Sequence, residues 1–353
     1  MKASIVIGAN YGDEGKGTVV ARLAKAGTNV LNILTNGGSQ RGHSILTKDG
    51  SITFQHFGSG TYHGADNYYS RYYILNPMQF AREYSELIVK PTHIYRDRFC
   101  RWSTPYDVMA NIIDEEQRGR KASCGMGIWN TIKRYNDGLG VSFDEFMEKP
   151  ETWIPYLDSI KAYYERSLVI PDTWFDTWNS NGMELHFIRD CKIMNELTSV
   201  IELASLDYDN VIFENGQGLL LSDTGRDTAD TTPSDCGICY ALLMAKELGI
   251  GDITAHYVTR PYLTRHGDGN LANEKHRHLL SFGIAEDRTN RYNERQGEFR
   301  YGYLDISSLH KRIVDDARGC KFEIDVTHCD EMDRVAEFSK VFGCVNTIDT
   351  AMV

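Results

Sequence analysis

Short apolar runs that end at glycine or at a polar turn recur along the chain. Residues 4–8 carry Ile5, Val6 and Ile7 in unbroken succession and stop at Gly8, the pattern of a strand buried on both faces. Residues 16–25 then set Val19, Val20, Leu23 and Ala24 on one side of a helix. Residues 29–34 form a second apolar run that ends in the polar, glycine-rich stretch 35–44. Strand, loop, helix, strand predicts an α/β chain with a central, mostly parallel sheet flanked by helices. Further strands are expected at 209–213, 253–258 and 322–326, and helices at 77–87, 237–248 and 306–317. Residues 91–112 hold a strand and more helix, and 142–168 is helical and rich in tryptophan and tyrosine. No internal repeat, low-complexity tract or long Pro/Ser linker divides the chain, so we read a single domain over 1–353 with helical excursions at about 77–168. Polar, glycine-bearing loops follow the strands, and in open α/β sheets that edge is where ligands bind.

Composition narrows the function classes. The 353 residues, 41% of them hydrophobic, are enough for a substantial core, and 25% charged residues give no sign of disorder. A formal net charge of -11 argues against a protein that wraps nucleic acid. Anionic small molecules stay open, because a few backbone N–H groups and one cation can hold a phosphate inside an acidic protein. The 8 cysteines are too sparse for a disulfide framework, which points to a reducing, cytoplasmic setting. Cys236 and Cys239 form an isolated C-x-x-C, read as one helical turn bearing two small apolar residues in preference to a zinc or redox site. No run of ~20 apolar residues suits a membrane helix, and the apolar part of residues 1–8 is too short for a signal peptide. Tyr68, Tyr69, Tyr72 and Tyr73 read as strand core or subunit interface, and Lys133 with Arg134 as a solvated helix face.

Two loops carry the candidate chemistry. The first, from Gly8 to Thr18, contains Gly12, Gly15 and Gly17, which let the backbone approach a ligand, with a helix N-terminus behind them and Lys16 as cation. It is not a Walker A loop, because Asn10 stands where the first glycine of that spacing belongs. Asp13 is the unusual residue: a carboxylate in a phosphate loop repels phosphate unless it binds Mg²⁺ or exchanges a proton with substrate. The second loop, Asn36 to Ser44, brings His43 after Gly37, Gly38 and Gly42. Asp13 with His43 gives an acid and a base of different intrinsic pKa, suited to two proton transfers near neutral pH.

Together these residues resemble the adenylosuccinate synthetase family, whose members carry W/Y-G-D-E-G-K-G and G-G-x-x-x-G-H loops in this order. The segment from Glu214 to Gly218 is similar to that family's E-G-A-Q-G. Thr264-Arg265-His266-Gly267-Asp268-Gly269 is similar to T-R-V-G-x-G, and Arg300-Tyr301-Gly302-Tyr303-Leu304-Asp305 to R-T-G-W-L-D. The resemblance runs from residue 4 to about 330 and implies the family's P-loop-NTPase-like fold. It implies that Asp13 takes the N1 proton of a 6-oxopurine nucleotide, and that the freed O6 attacks the γ-phosphate of a nucleoside triphosphate. Lys16 and His43 stabilise the transferring group. Phosphate is then displaced by the amine of L-aspartate, while Gln217 binds the purine edge. Mg²⁺ is implied on Asp13 and the Gly42 carbonyl. The donor nucleotide is implied along Asn10, Tyr11, Gly12, Asp13, Glu14, Gly15, Lys16, Gly17 and Thr18, with Gly42, His43, Ser44 and Asp330. The purine monophosphate falls to Asp13, Ser39, Gln40, Arg41, Ser123, Cys124, Gln217 and Thr232. Arg134 is the candidate that reaches a neighbouring subunit's monophosphate, and hence the reason to expect a homodimer. Arg295, Gln296, Gly297 and Arg300 are the candidates for L-aspartate.

Departures from the family pattern bear on the substrate. The chain is shorter than the cellular members. The guanine-reading T-K-x-D is Thr327-His328-Cys329-Asp330 here, and the arginine-rich aspartate loop is rebuilt from Asn293 to Arg300. These features resemble the bacteriophage branch, the 2-aminoadenylosuccinate synthetases, which condense dGMP with L-aspartate using ATP or dATP on the way to 2-aminoadenine DNA. On that reading the chain works in the host cytoplasm. The retained Asp13 suits dGMP and IMP equally, since both present N1–H and C6=O. An IMP enzyme using GTP in purine biosynthesis, a non-catalytic nucleotide-binding regulator and an NTPase switch remain as alternatives. The 2-amino group of guanine needs a buried acceptor, sought among Ser39, Gln40 and Arg41.

Overall fold

A computed structural model describes residues 1–47, 50–223, 231–280, 292 and 294–348. Among them, nine strands form one sheet: β1 (Lys2–Gly8), β2 (Val30–Leu34), β3 (Asp66–Tyr69), β4 (Ile94–Arg96), β5 (Ser199–Val200), β6 (Asn210–Glu214), β7 (Ile253–Thr259), β8 (Phe322–Thr327) and β9 (Asn346–Ile348). Their order is β5-β4-β3-β2-β6-β1-β7-β8-β9, and every pairing is parallel. The central strand β1 shows why its sequence is a continuous apolar run. Ile5 and Ile7 join one core with Ile33, Tyr68, Phe213 and Tyr257, while Val6 joins the opposite one with Val19, Val20, Ile212 and Val258. Both faces are covered, so neither set of alternating positions is polar.

The chain leaves β1 through the loop at residues 9–15 and enters α1 (Lys16–Ala26), which returns it to β2, beyond β6 in the sheet. The sequence order therefore reverses around β1, and the loops after β1, β6, β7 and β8 meet at one carboxyl edge, the position where doubly wound sheets form a cleft. The helices α9 (Cys239–Glu247) and α10 (Ile306–Ala317) were expected within two residues of these bounds.

The helical excursion is longer than the sequence predicts. It holds α2 (Pro77–Glu86), α3 (Pro105–Arg118), α4 (Ile128–Asn136), α5 (Phe143–Glu148), α6 (Trp153–Glu165), α7 (Asp172–Trp178) and α8 (Asn181–Leu197), so it runs to residue 197 rather than 168. Its starts are conventional: Asn76 caps α2 ahead of Pro77, and Thr104 with Asp107 makes a reciprocal capping box on α3. A second core, with Trp102, Trp178, Phe187 and Met194 buried in it, packs this layer together.

Arg134 corrects one expectation. A single step along α4 turns the side chain by roughly 100°, so Lys133 is 68% exposed while Arg134 is fully buried. Its guanidinium holds both oxygens of Asp107 at 2.8 and 3.0 Å and donates to the carbonyls of Leu139 and Trp102 and to the Tyr156 hydroxyl. All of its reach is spent inside the helical core, so it presents nothing to a partner's ligand, and the ground it offered for a homodimer falls away. The tyrosine cluster is core, as read: Tyr68, Tyr69 and Tyr73 are buried, and Tyr72 stacks on Tyr240 at 3.9 Å. Cys236 and Cys239 do not share a helical turn, because Cys236 lies in the loop before α9; both thiols are free and pushed up by burial. Among the described residues no helix is long and apolar enough to cross a membrane.

Candidate active site at the carboxyl edge

The loop after β1 is organised from within by Glu14. Its Oε1 accepts from the backbone N–H of Asn10 and Gly12 at 3.0 and 2.8 Å, and its Oε2 lies 3.2 Å from Lys16 Nζ, with both side chains buried. Lys16, read from sequence as a free cation for phosphate, is thus held by an internal carboxylate. Charge explains the arrangement: a buried ammonium needs a counter-ion, and the loop's N–H groups need acceptors. Neighbouring strands fix the loop's outside. Arg260, after β7, donates to the Asp13 carbonyl at 2.7 Å; Thr327, at the end of β8, donates to the Glu14 carbonyl at 2.6 Å; Arg312 on α10 reaches Ala9 O and Asn10 Oδ1.

Glycine at position 8 is demanded by this packing. A Cβ there would stand 2.5 Å from Glu14 Oε2, 2.7 Å from the Gln217 carbonyl and 2.8 Å from Lys16 Nζ. Gly8→Ala is expected to push the 8–18 and 214–218 loops apart and lower kcat/KM about 100-fold, the scale set by misplacing reacting groups by about an ångström. Steady-state kinetics beside an unfolding curve checks this, and an active Gly8→Ala protein would overturn the packing account.

Asp13 stands at the rim of this loop in the left-handed region, φ 60°, a conformation in which Asp is more at ease than most residues. Its side chain is about one-third exposed, and Oδ2 takes His266 Nδ1 at 3.2 Å. Burial works against ionisation, but the hydrogen bond and charge of His266, then Lys16 and Arg260, outweigh it and hold the carboxyl below its ordinary value. Gln217, after β6, and His328, after β8, are also left-handed, at φ 54° and 56°. Three strand ends therefore place a polar non-glycine residue in a strained backbone region, as functional clefts do.

His43 lies across the cleft on a hairpin strand, His43–Thr47, beside Gly17. Its Nδ1 is 2.5 Å from Glu214 Oε1 at the end of β6. Glu214 is fully buried, and it also accepts from Ser59 N and Oγ at 2.9 and 2.7 Å and faces Arg41 Nη2 at 3.7 Å. Burial lowers the His43 pKa to about 4 against the opposing pull of Glu214. Glu214 is lowered to about 2: burial opposes this, and Arg41 followed by the His43 hydrogen bond overcomes it. The pair is thus a neutral imidazole donating Nδ1–H to a carboxylate, which fixes the tautomer and leaves the lone pair on Nε2.

The purine-side candidates converge in part. Gln40 Nε2 donates to Gln217 Oε1 at 3.3 Å, and Cys124 Sγ lies 3.6 Å from Gln40 O. Ser123 Oγ is shared with Asn111 and accepts from Gly125 N. Ser39 is buried, and its hydroxyl has no hydrogen-bond partner among the described residues. Arg41 turns Nη2 inward to Glu214 and the Phe57 carbonyl, because the buried carboxylate requires a cation, while its Nε and Nη1 are buried without a hydrogen-bond partner among the described residues. Thr232 follows the loop after β6, bonded through its N–H to Leu221 O. Ser44 Oγ pairs with Thr53, Gly42 is exposed, and Asp330 is exposed beyond the buried His328.

Of the amino-acid candidates, Arg300 is committed elsewhere. Both Glu274 oxygens and the carbonyls of Gly267 and Gly269 take its donors at 2.6–2.9 Å, so it fastens the 265–269 loop instead of facing ligand. Arg295 lies over Gly125, only 3.8 Å from Glu116, and stays part-exposed. Gln296 bridges Ala122 O and Gly267 N, and Gly297 turns with φ 76°. Asn293 lies outside the described residues. Sequence reasoning missed His266, Glu214 as a partner of His43, Ser59, Arg260 and Arg312. His266 left a visible signal, as the polar residue where the T-R-V-G-x-G motif has valine, and Glu214 opened the segment similar to E-G-A-Q-G.

The family model for adenylosuccinate synthetase matches residues 5–342. The chain belongs to the adenylosuccinate synthetase family. A Dehalococcoides mccartyi adenylosuccinate synthetase is 26% identical over 291 residues, covering 78% of this chain and 66% of its own length. One from Dichelobacter nodosus is 24% identical over 362 residues, covering 95% of this chain and 79% of its own. The chain thus spans just under two thirds of the first of these relatives. In fold it is similar to the fully ligated adenylosuccinate synthetase of Plasmodium falciparum, with TM-score 0.72 at 16% identity over 94% of this chain and 77% of that one. It is also similar to the cyanophage S-2L succinoaminodeoxyadenylate synthetase bound to dGMP and dATP, with TM-score 0.66 at 11% identity over 98% and 91%. The α/β class and the parallel sheet expected from sequence are those of this family.

Proposed function

We propose that the chain is a carbon–nitrogen ligase that joins dGMP to L-aspartate. ATP or dATP is the phosphoryl donor, and the product is 2-amino-2'-deoxyadenylosuccinate, a precursor of 2-aminoadenine DNA. The observation that carries this reading is that the loop bearing Asp13 and the strand bearing His43, which Glu214 holds, meet at Gly17. Asp13 accepts the N1 proton, O6 becomes the nucleophile, and its attack forms a 6-phosphoryl purine. His43 and Lys16 face the charge that builds on the transferred group. The amine of aspartate then displaces phosphate at C6, while Gln217, steadied by Gln40, binds the purine edge.

Mg²⁺ fits the donor set. Asp13 Oδ1 carries no protein hydrogen bond among the described residues, and Gly42 is exposed, so one carboxylate and one carbonyl are offered, as that ion accepts when phosphates complete its shell. When bound it supplies charge neutralisation to the donor's phosphates.

Two observations favour dGMP with an adenine donor. Gln40 Oε1 is buried beside Gln217 without a partner among the described residues, an acceptor that a 2-amino group would satisfy and IMP would not. His328, at the place of the family's guanine-reading lysine, is buried, bonded to Thr327 Oγ1 at 2.8 Å and neutral through desolvation, so no cation is offered to a guanine donor. The cyanophage protein of like fold binds dGMP and dATP. An unpaired buried polar group costs ~1–3 kcal/mol, so kcat/KM for dGMP is expected to exceed that for IMP roughly tenfold to hundredfold. Steady-state turnover of dGMP, GMP and IMP with aspartate, using ATP, dATP and GTP in turn, decides it. Turnover of IMP with GTP alone would make this the purine-biosynthetic enzyme; nucleotide binding without turnover would make it a regulator.

A further inference from the structure

Two polar side chains leave α10 for two different loops of the carboxyl edge. The helix itself is fixed: Leu309, Ile313 and Ala317 are buried in the main core, and Asp305 accepts from Ser307 N at its start. Arg312 and Asp316 stand one helical turn apart on one face. Arg312 Nε donates to the Ala9 carbonyl at 2.8 Å, and Nη2 to Asn10 Oδ1 at 2.7 Å. Asn10 is a junction, since its Nδ2 donates to Thr259 Oγ1 at 2.9 Å and its N–H to Glu14 at 3.0 Å. Asp316 accepts from Ile238 N at 3.2 Å and from the Tyr257 hydroxyl at 2.7 Å. Only glycine fits before Ile238: a Cβ at Gly237 would stand 2.1 Å from Asp316 Oδ1. This turn is tied to the purine side. Asn215 Nδ2, two residues before Gln217, donates to the carbonyls of Cys236 and Gly237 at 3.0 and 2.7 Å. Ser234 N donates to the carbonyl of Thr232 at 2.8 Å.

We infer that α10 is a strut that sets two subsites separately: Arg312 positions the 9–14 loop for the nucleoside triphosphate, and Asp316 positions the 234–238 turn for the purine monophosphate. Both are positioning residues, acting through the backbone they hold. The inference rests on the reading above for which nucleotide each loop receives. A loop released from its tie must be ordered again when ligand binds, and that entropy is taken from affinity. The two effects stay apart because each loop keeps its other fastenings. Asp13, the purine contact of the first loop, has its own tie in Arg260, which donates to its carbonyl at 2.7 Å. The 234–238 turn makes no listed bond to Arg312, whose donors go to Ala9 and Asn10.

The test uses the full-length protein and calorimetric titration with a non-hydrolysable ATP analogue and, separately, with dGMP. Arg312→Met keeps the apolar stem and removes both donors. Its Kd for the ATP analogue is expected to rise ~10- to 100-fold, with the Kd for dGMP within about threefold of wild type. Arg312→Lys, which still offers a donor to one acceptor, is expected to recover part of that loss and serves should the Met variant not fold. Asp316→Ala is expected to give the converse, a Kd for dGMP raised ~10- to 100-fold with the ATP analogue little changed. Gly237→Ala breaks the same contact from the other side and should act in the same direction. Two Kd values that move together in either variant would overturn the inference, as would Kd values that stay put while the unfolding midpoint falls; α10 would then be ordinary support. The underlying reading is checked separately in the wild type, where positional isotope exchange in γ-labelled ATP, with dGMP and no aspartate, reports formation of the 6-phosphoryl purine. Absence of exchange would remove that reading, while the two affinities would still decide the inference.

Discussion

Asp13→Asn is expected to lower kcat by roughly 10²–10⁴-fold, the contribution of a positioned general base, while the protein folds as before. The substitution isolates charge and proton affinity. Asparagine tolerates the left-handed backbone that Asp13 occupies at φ 60°, and its carbonyl oxygen can still accept from His266 Nδ1. What is lost is the anion that in the proposed first step takes the N1 proton and, with the Gly42 carbonyl, would offer hard oxygen to Mg²⁺. Without it O6 is not made nucleophilic, so isotope exchange in labelled ATP should fall with overall turnover. Unchanged thermal unfolding with lost exchange is the expected pair of results. Retention of kcat within tenfold would remove Asp13 from the base role and with it the proposed first step.

Much of the frame around Asp13 was legible because it is written locally. The apolar run of β1, the glycines at 12, 15 and 17 and the helical spacing of Val19, Val20 and Ala24 all lie within one stretch of chain, and the structure sets them as strand, loop and helix. The helix at 181–197 was missed although Ser180 caps it. Arg134 was misread because adjacent helix positions face opposite environments, which composition does not reveal. The charge pairing of the site was out of reach for another reason. His43 and Glu214 are 171 residues apart, and Asp13 and His266 are 253 apart, so their contacts depend on which strands the sheet makes neighbours. Nor does the motif say that Glu14 would fold inward onto Lys16; that follows only once both are buried. The substrate lies further off still, in whether Gln40 keeps an acceptor without a partner.

Glu214→Gln should be the most damaging single change away from the loop after β1, and pH gives it a signature. Glu214 is the only carboxylate the described contacts bring to Arg41, and it anchors His43 and Ser59. Removing one partner of a buried pair costs ~3–5 kcal/mol because the remaining charge stays buried. His43 also loses the carboxylate that fixes its tautomer, a loss of roughly 10²–10⁴-fold in kcat by the precedent of acid–base catalysis. The sign of the pH effect follows from both shifts. His43 falls from 6.5 to about 4 on folding, so the stability associated with its neutral form is complete above pH 6.5 and is lost as pH falls toward 4. Glu214 falls from 4.5 to about 2, so its contribution is complete above pH 4.5 and is lost as pH falls toward 2. Both make the wild type weaker on acidification, and the second loss is absent from the glutamine variant. The stability gap between the two proteins, read from denaturant unfolding, should therefore be widest at pH 7 and should narrow below pH 4.5. A gap that stays constant down to pH 3 would mean that Glu214 gains nothing from its ionised form. The Arg41–Glu214–His43 cluster would then have to be redrawn as a neutral hydrogen-bond network.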